Sequence, residues 1–263
     1  MFLKNFHRFV KAWKKTGAAW GPAESVPISD RGFRYGMSFF ESIAVLSGRP
    51  LFLDAHLKRF AQAAEDFGAD CDPAGFDFSK LGTGLLRFYC TAGDGSPVDA
   101  FGGSLFALFE IAEVGGEFPA VRVDFSSAPY LPAPGGWKTG NYWQNTAALA
   151  RARALGLDET LLFNPASQLV GAAMANIFLR IDGRWTTPHL HTGARPGVVR
   201  EWVLGRTGAE EEFLLAEDAA RCDAAFLTNS RTGIRTISEL DGRPLEPADE
   251  SLRRDYLDEI CPA

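Results

Sequence analysis

Apolar positions fall into short runs that predict two kinds of element. Residues 39–46 and 104–111 are β-branched and aromatic, and short enough to predict strands. Between them Leu57, Phe60, Ala61, Ala64 and Phe67 recur on one helical face, from a start near Asp54, a good N-cap residue, to Gly68. Arg59 falls off that apolar face, which predicts a solvated position. Further on, 145–155 predicts a helix closed by Gly156, 160–163 and 177–181 predict strands, 196–205 a helix with proline in its first turn, and 224–227 a strand. Residues 1–22 set Lys4, Arg8, Lys11, Lys14 and Lys15 among apolar residues, with Phe6, Val10 and Trp13 on one side of a helix-like pattern. A basic helical extension, docked or frayed, is expected there in preference to a membrane-surface helix.

Chain breakers divide this pattern. Glycine and proline concentrate at 114–119 (Val-Gly-Gly-Glu-Phe-Pro) and again at 132–136, so the domain junction is expected in this region. The first is the better boundary, giving a smaller domain over 1–116, with 1–22 as its atypical extension, and a larger one over 117–263. Alternating strands and helices on both sides predict an α/β (α+β) architecture.

The 263 residues are 46% hydrophobic and 12% aromatic, enough for one or two packed cores. A formal net charge of -6 gives no general attraction to phosphate backbones, so nucleic acid is not an expected partner. No apolar run reaches the roughly 18 residues of a membrane span, and the N-terminus lacks the apolar core of a secretory signal. No membrane association and a cytoplasmic location are expected. Cys71, Cys90, Cys222 and Cys261 have no short paired spacing, and His189 with His191 alone makes a poor metal site, so neither a zinc site nor a disulfide framework is expected.

One stretch carries candidate chemistry. Gly135-Gly136-Trp137-Lys138-Thr139-Gly140-Asn141-Tyr142 sets a lysine between a glycine-rich approach and an aromatic, amide-bearing exit. Partial burial beside Trp137 would penalise the charged form of Lys138 and make it a candidate Schiff-base amine; a lysine after two glycines can equally be a solvated loop residue. Around it stand Asp30-Arg31-Gly32-Phe33-Arg34-Tyr35-Gly36, Phe39-Phe40-Glu41-Ser42-Ile43, Asp54 to Phe60 with Arg59, Met174-Ala175-Asn176-Ile177-Phe178, Pro196-Gly197-Val198-Val199-Arg200, and Phe226 to Arg235 with Thr228-Asn229-Ser230.

In this order and at these separations, from about Ile28 to about Leu245, the motifs resemble the class IV aminotransferases, pyridoxal-phosphate enzymes of fold type IV. That family includes branched-chain and D-amino-acid aminotransferases and 4-amino-4-deoxychorismate lyase. The resemblance implies a two-domain fold, with a smaller N-terminal α/β domain and a larger C-terminal domain built on a barrel-like sheet, in a homodimer. It implies pyridoxal 5'-phosphate as cofactor and an amino acid with a 2-oxo acid as substrates. It makes Lys138 the cofactor lysine and Arg59 the arginine that grips the phosphate, a role that suits guanidinium geometry. Asn176, Val198 and Val199 fall at cofactor positions, the last two at a helix start whose free N–H groups bind phosphate. Thr228, Asn229 and Ser230 match the phosphate-side or substrate-side loop, and otherwise form a simple turn. Tyr35 and Glu41 fall on the substrate side; Glu41 is equally a charge on the outward face of a strand.

The sequence also departs from the family. A glutamate five residues before the asparagine of Asn-Ile-Phe keeps the pyridine nitrogen protonated in relatives, and here that position is Gly171. Losing one charge-assisted hydrogen bond of roughly 1.5–3 kcal/mol would slow transamination by about one to two decades. Val199 replaces the usual threonine, Met37 and Ser38 an aspartate and glycine, and Ala44 a frequent arginine. Three readings follow: amino-group transfer with atypical ring-nitrogen chemistry; a lyase-like elimination giving 4-aminobenzoate and pyruvate; or a degenerate, non-catalytic cofactor-binding or interaction protein.

Overall fold

The computed structural model describes residues 10–248 and 250–261. The chain divides into two compact units, 1–114 and 115–263.

The first unit holds β1 (Val10–Thr16), β2 (Ala19–Pro22), α1 (Arg31–Tyr35), β3 (Ser38–Leu46), β4 (Arg49–Pro50), α2 (Leu53–Phe67), β5 (Gly84–Thr91) and β6 (Ser104–Ile111). Its strands make one antiparallel sheet in the order β2-β1-β6-β5-β3-β4. β3 is buried almost throughout, because α2 packs on it and Phe39 meets Phe60 and stacks on Phe67. The buried side of α2 is His56, Arg59, Phe60, Ala63 and Ala64, so Ala61 is exposed and Arg59 points inward, against the sequence expectation. The reason is local: Glu41 on the adjoining β3 gives the guanidinium a buried partner, and the helical face rotates to reach it.

The helix expected over 1–22 is corrected from residue 10 onward; residues 1–9, with Phe6, lie outside the described residues. Residues 10–22 form a β-hairpin that turns at Gly17 (φ 58°) and pairs with β6. Trp13 stands edge-on to Phe76 at 5.3 Å, and Lys15 donates to the Asp72 carbonyl. Pairing with β6 supplies both backbone partners and an aromatic shelf, which outweighs local helical patterning.

Arg31 organises the loop after β5. Its guanidinium donates to the carbonyls of Gly93, Ser96, Asp99, Ala92 and Ala100, and no carboxylate among the described residues is ion-paired with it. Asp30 caps α1 through Gly32 N–H and accepts from the Thr91 hydroxyl at 2.7 Å.

The second unit holds β7 (Val121–Phe125), α3 (Trp143–Ala154), β8 (Glu159–Phe163), β9 (Leu169–Ala172), β10 (Asn176–Ile181), β11 (Arg184–Pro188), α4 (Val198–Thr207), β12 (Glu210–Glu212), α5 (Ala216–Arg221), β13 (Ala224–Asn229), β14 (Gly233–Leu240), β15 (Arg243–Pro244) and α6 (Glu250–Ile260). Its mixed sheet runs β12-β11-β10-β13-β14-β7-β8-β9, with β15 on β14. β9, at the far edge, comes back into contact with β10 and β11, so the sheet curls into a barrel-like form. Val121, Leu161, Leu169, Ile177, Leu227 and Ile237 fill its interior. Each unit combines a sheet with helices, which is the α/β (α+β) architecture expected from the alternation along the chain. Among the described residues, no helix is long and apolar enough to cross a membrane.

Candidate functional site

Lys138 lies in the loop between β7 and α3, half-buried, with its amine 5.8 Å from the centre of the Tyr142 ring. Close backbone approaches seat this loop. Gly135 and Gly136 have φ of 64° and 67°, and a Cβ on Gly136 would stand 2.6 Å from the Ala194 carbonyl oxygen. A Cβ on Gly193 would collide with Pro132. Glycine is required here twice over, for the left-handed backbone and for the contact. The consequence is that the lysine loop lies directly against the segment that leads into α4.

That segment ends in a helix start open to an anion. Gly197 is the N-cap of α4 and no side chain caps it, which leaves the first N–H groups, from Val198 and Val199 onward, without intrahelical acceptors. Pro196 therefore precedes the helix rather than forming its first turn. The Asn176 side chain anchors this corner: its Nδ2 donates to the Arg195 carbonyl at 2.8 Å, and its Oδ1 fills the space that a Cβ on Gly197 would need. Asn176 is also paired in register with Thr228 on β13. Thr228 is 1% exposed, and its hydroxyl has no hydrogen-bond partner among the described residues. An orphaned buried hydroxyl beside an open helix start suits a phosphate, whose oxygens would satisfy both. Asn229 serves the backbone instead, because its Oδ1 accepts from the N–H groups of Arg231 and Thr232 and from the Thr232 hydroxyl, building the turn that includes Ser230. The Val198 and Val199 side chains are buried in packing and offer no donor.

Arg195, Tyr130 and Asn145 are absent from the expected site residues, Tyr142 enters there only as the aromatic exit of the lysine stretch, and all four belong to the same neighbourhood. Arg195 Nη1 donates to the Tyr142 hydroxyl at 3.1 Å, and its guanidinium stands 5.5 Å from the centre of that ring. The Tyr130 hydroxyl donates to Asn145 Oδ1, and Asn145 in turn donates to the Ala173 carbonyl. Burial pushes the Tyr130 hydroxyl above its ordinary pKa, with the Arg195 charge pulling the other way. The only sequence signal for Arg195 is a cation just before a helix-opening Pro-Gly pair. Periodicity cannot mark it, because it sits in no regular element.

Gly171 lies on β9 with φ 155°, where a Cβ would stand 3.1 Å from the Ala175 carbonyl oxygen. The position carries no acid. On the adjacent β8, Glu159 is a buried carboxylate that accepts from the N–H groups of Thr160 and Met174, each at 3.1 Å. Burial pushes it up to about 7, against those N–H groups, which favour the ionised form.

The remaining expected residues lie in the first unit. Glu41 is 3% exposed rather than outward-facing, and accepts from Arg59 Nε at 2.8 Å, from Arg59 Nη2 and from His56 Nδ1 at 2.8 Å. Burial opposes its ionisation, but the Arg59 charge and the His56 contacts prevail and hold the carboxyl well below the usual range. The Tyr35 hydroxyl, in an exposed side chain, accepts from Arg34 Nη2 at 2.7 Å.

Comparison with known proteins identifies the family. A putative branched-chain-amino-acid aminotransferase of Methanocaldococcus jannaschii is 24% identical over 240 residues, covering 83% of each chain. The solved structure of a putative 4-amino-4-deoxychorismate lyase from Legionella pneumophila superposes with a TM-score of 0.79 at 25% identity, covering 90% of this chain and 94% of that one. An aminotransferase from Brucella abortus, bound to its cofactor PLP, superposes with a TM-score of 0.82 at 20% identity, covering 96% and 100%. The model of the amino-transferase class IV family matches residues 38–240. A match of that extent makes the chain a member of the class IV aminotransferases, whose cofactor is pyridoxal phosphate.

Proposed function

We propose that the protein transfers an amino group between an amino acid and a 2-oxo acid, as a homodimer. The observation that carries this is the seating of Gly136 against Ala194, which brings the Lys138 loop to the segment that opens α4. A nucleophilic amine and an anion cradle are thereby joined in one unit. Pyridoxal phosphate supplies an electrophilic carbon and an electron-withdrawing ring when bound. Lys138 Nζ is the group that would hold the cofactor covalently and, once released, carry the proton to and from the substrate Cα. The N–H groups of Val198 and Val199 and the Thr228 hydroxyl would take the phosphate. With glycine at 171, that position would give the ring nitrogen no carboxylate partner, so slow turnover is expected unless another residue takes its place.

An absorbance spectrum with added pyridoxal phosphate, before and after borohydride, tests the reading. Wild type is expected to show a visible band that borohydride fixes to the protein, and Lys138→Ala to show neither. Equal spectra from the two proteins would overturn the assignment.

The 25% identity to the Legionella protein, covering nearly both chains, also supports a second reading, elimination of pyruvate from aminodeoxychorismate. The two separate on products: an amino product matched to a 2-oxo acid in one case, pyruvate with 4-aminobenzoate in the other.

A further inference from the structure

Buried and half-buried arginines of this protein are answered by neighbours almost everywhere. Arg59 has Glu41, Arg87 has Glu110, Arg180 has Asp223 and Glu246, Arg200 has Glu201 and Glu211, and Arg31 has its five carbonyls. Arg195 is the exception. It is half-buried, and no acidic side chain among the described residues is ion-paired with it; its Nε, like that of the ion-paired Arg200, is a buried donor without an acceptor. Among the described residues its guanidinium donates to the Tyr142 hydroxyl alone, through Nη1. The Lys138 amine lies 5.8 Å from the ring centre of the same tyrosine, so two cations border one aromatic side chain. A buried donor left unsatisfied and a charge left unpaired are both unfavourable, and a carboxylate on the Nε–Nη2 edge would remove both at once through the bidentate geometry that guanidinium favours.

We infer that Arg195 binds the α-carboxylate of the substrate and fixes it relative to Lys138, with Tyr142 holding the guanidinium in place. The inference rests on the function proposed above. The cofactor phosphate is the other anion that could meet this charge. The α4 N–H groups and the Thr228 hydroxyl already suit it, whereas the Arg195 guanidinium turns toward Tyr142 and the lysine side. An amino acid and its 2-oxo acid share this carboxylate, one bond from the reacting carbon, so a single arginine would serve both half-reactions.

The test uses 4-methylvalerate, a carboxylate with no amino group, and its neutral amide as calorimetric probes of the full chain, with and without pyridoxal phosphate. Wild type is expected to bind the carboxylate about 10- to 100-fold more tightly than the amide, the range of one charged hydrogen-bonded contact. Arg195→Gln should abolish that preference, and Arg195→Lys should restore part of it. Pyridoxal phosphate retention and the melting temperature should stay near wild type in both. An undiminished preference in the glutamine variant overturns the inference, as does loss of cofactor retention with the preference intact, which would give Arg195 to the phosphate. If wild type retains no cofactor yet shows an Arg195-dependent preference, the proposed function fails and the carboxylate site stands; if neither is seen, both fail.

Discussion

Glu41 shows how much one buried carboxylate can decide. It sits between Arg59 and His56 with all three side chains withdrawn from water. Replacing the carboxylate takes the negative charge from two buried neighbours, so Glu41→Gln is expected to destabilise the first unit by about 3–5 kcal/mol. Urea denaturation at pH 7 reads this directly. A loss below about 1 kcal/mol would mean that water reaches Arg59. The pH dependence has a definite sign. The folded pKa is depressed, so the contribution is full above the ordinary carboxylate range and is lost as pH falls below it. Hydrogen bonding to Glu41 occupies Nε and Nη2 of Arg59, a detail invisible to helical periodicity, which assigns that arginine to solvent.

At the scale of elements, the sequence announces those whose own residues carry the pattern. The strand at 104–111 is found at the bounds expected, and the helices expected over 145–155 and 196–205 appear as Trp143–Ala154 and Val198–Thr207. The N-terminal hairpin escapes such a reading because its partner strand β6 lies far along the chain, and a local window sees only the spacing of Val10 and Trp13. Of the candidate site, the motifs around Lys138 and Asn176 are legible as words. The junction between them is not, since it depends on backbone surfaces touching. Gly136→Ala tests that junction: the left-handed φ and the 2.6 Å approach to Ala194 both oppose a methyl group. The variant is expected to lose about 1–3 kcal/mol of stability and to retain pyridoxal phosphate at least tenfold less well, as read by dialysis and absorbance. Wild-type retention would show that the lysine loop is seated by other contacts.

At the scale of the whole molecule, Glu41 and Glu159 are expected to make the two units answer pH in opposite directions. Glu159 in the second unit has its folded pKa raised from 4.5 to about 7. The folded state keeps a proton that the unfolded chain has released, so stability is full below the unfolded pKa and falls as pH climbs toward 7. The loss amounts to about 3 kcal/mol. Glu41 makes the first unit weakest in acid. Hydrogen exchange followed strand by strand should therefore find β10 better protected relative to β5 at pH 4 than at pH 8, and Glu159→Gln should flatten the response of β10 alone. Protection of β10 that does not fall between pH 4 and pH 8 would show that Glu159 is ionised in the folded state. Arg31 has a different consequence. Its charge is met by peptide carbonyls rather than by an acid, so no counter-charge can be protonated, and pairing between opposite charges is not what salt would screen. The Arg31 contacts that hold Ala92 to Ala100 thus depend less on ionic strength than the ion pairs of the same unit do.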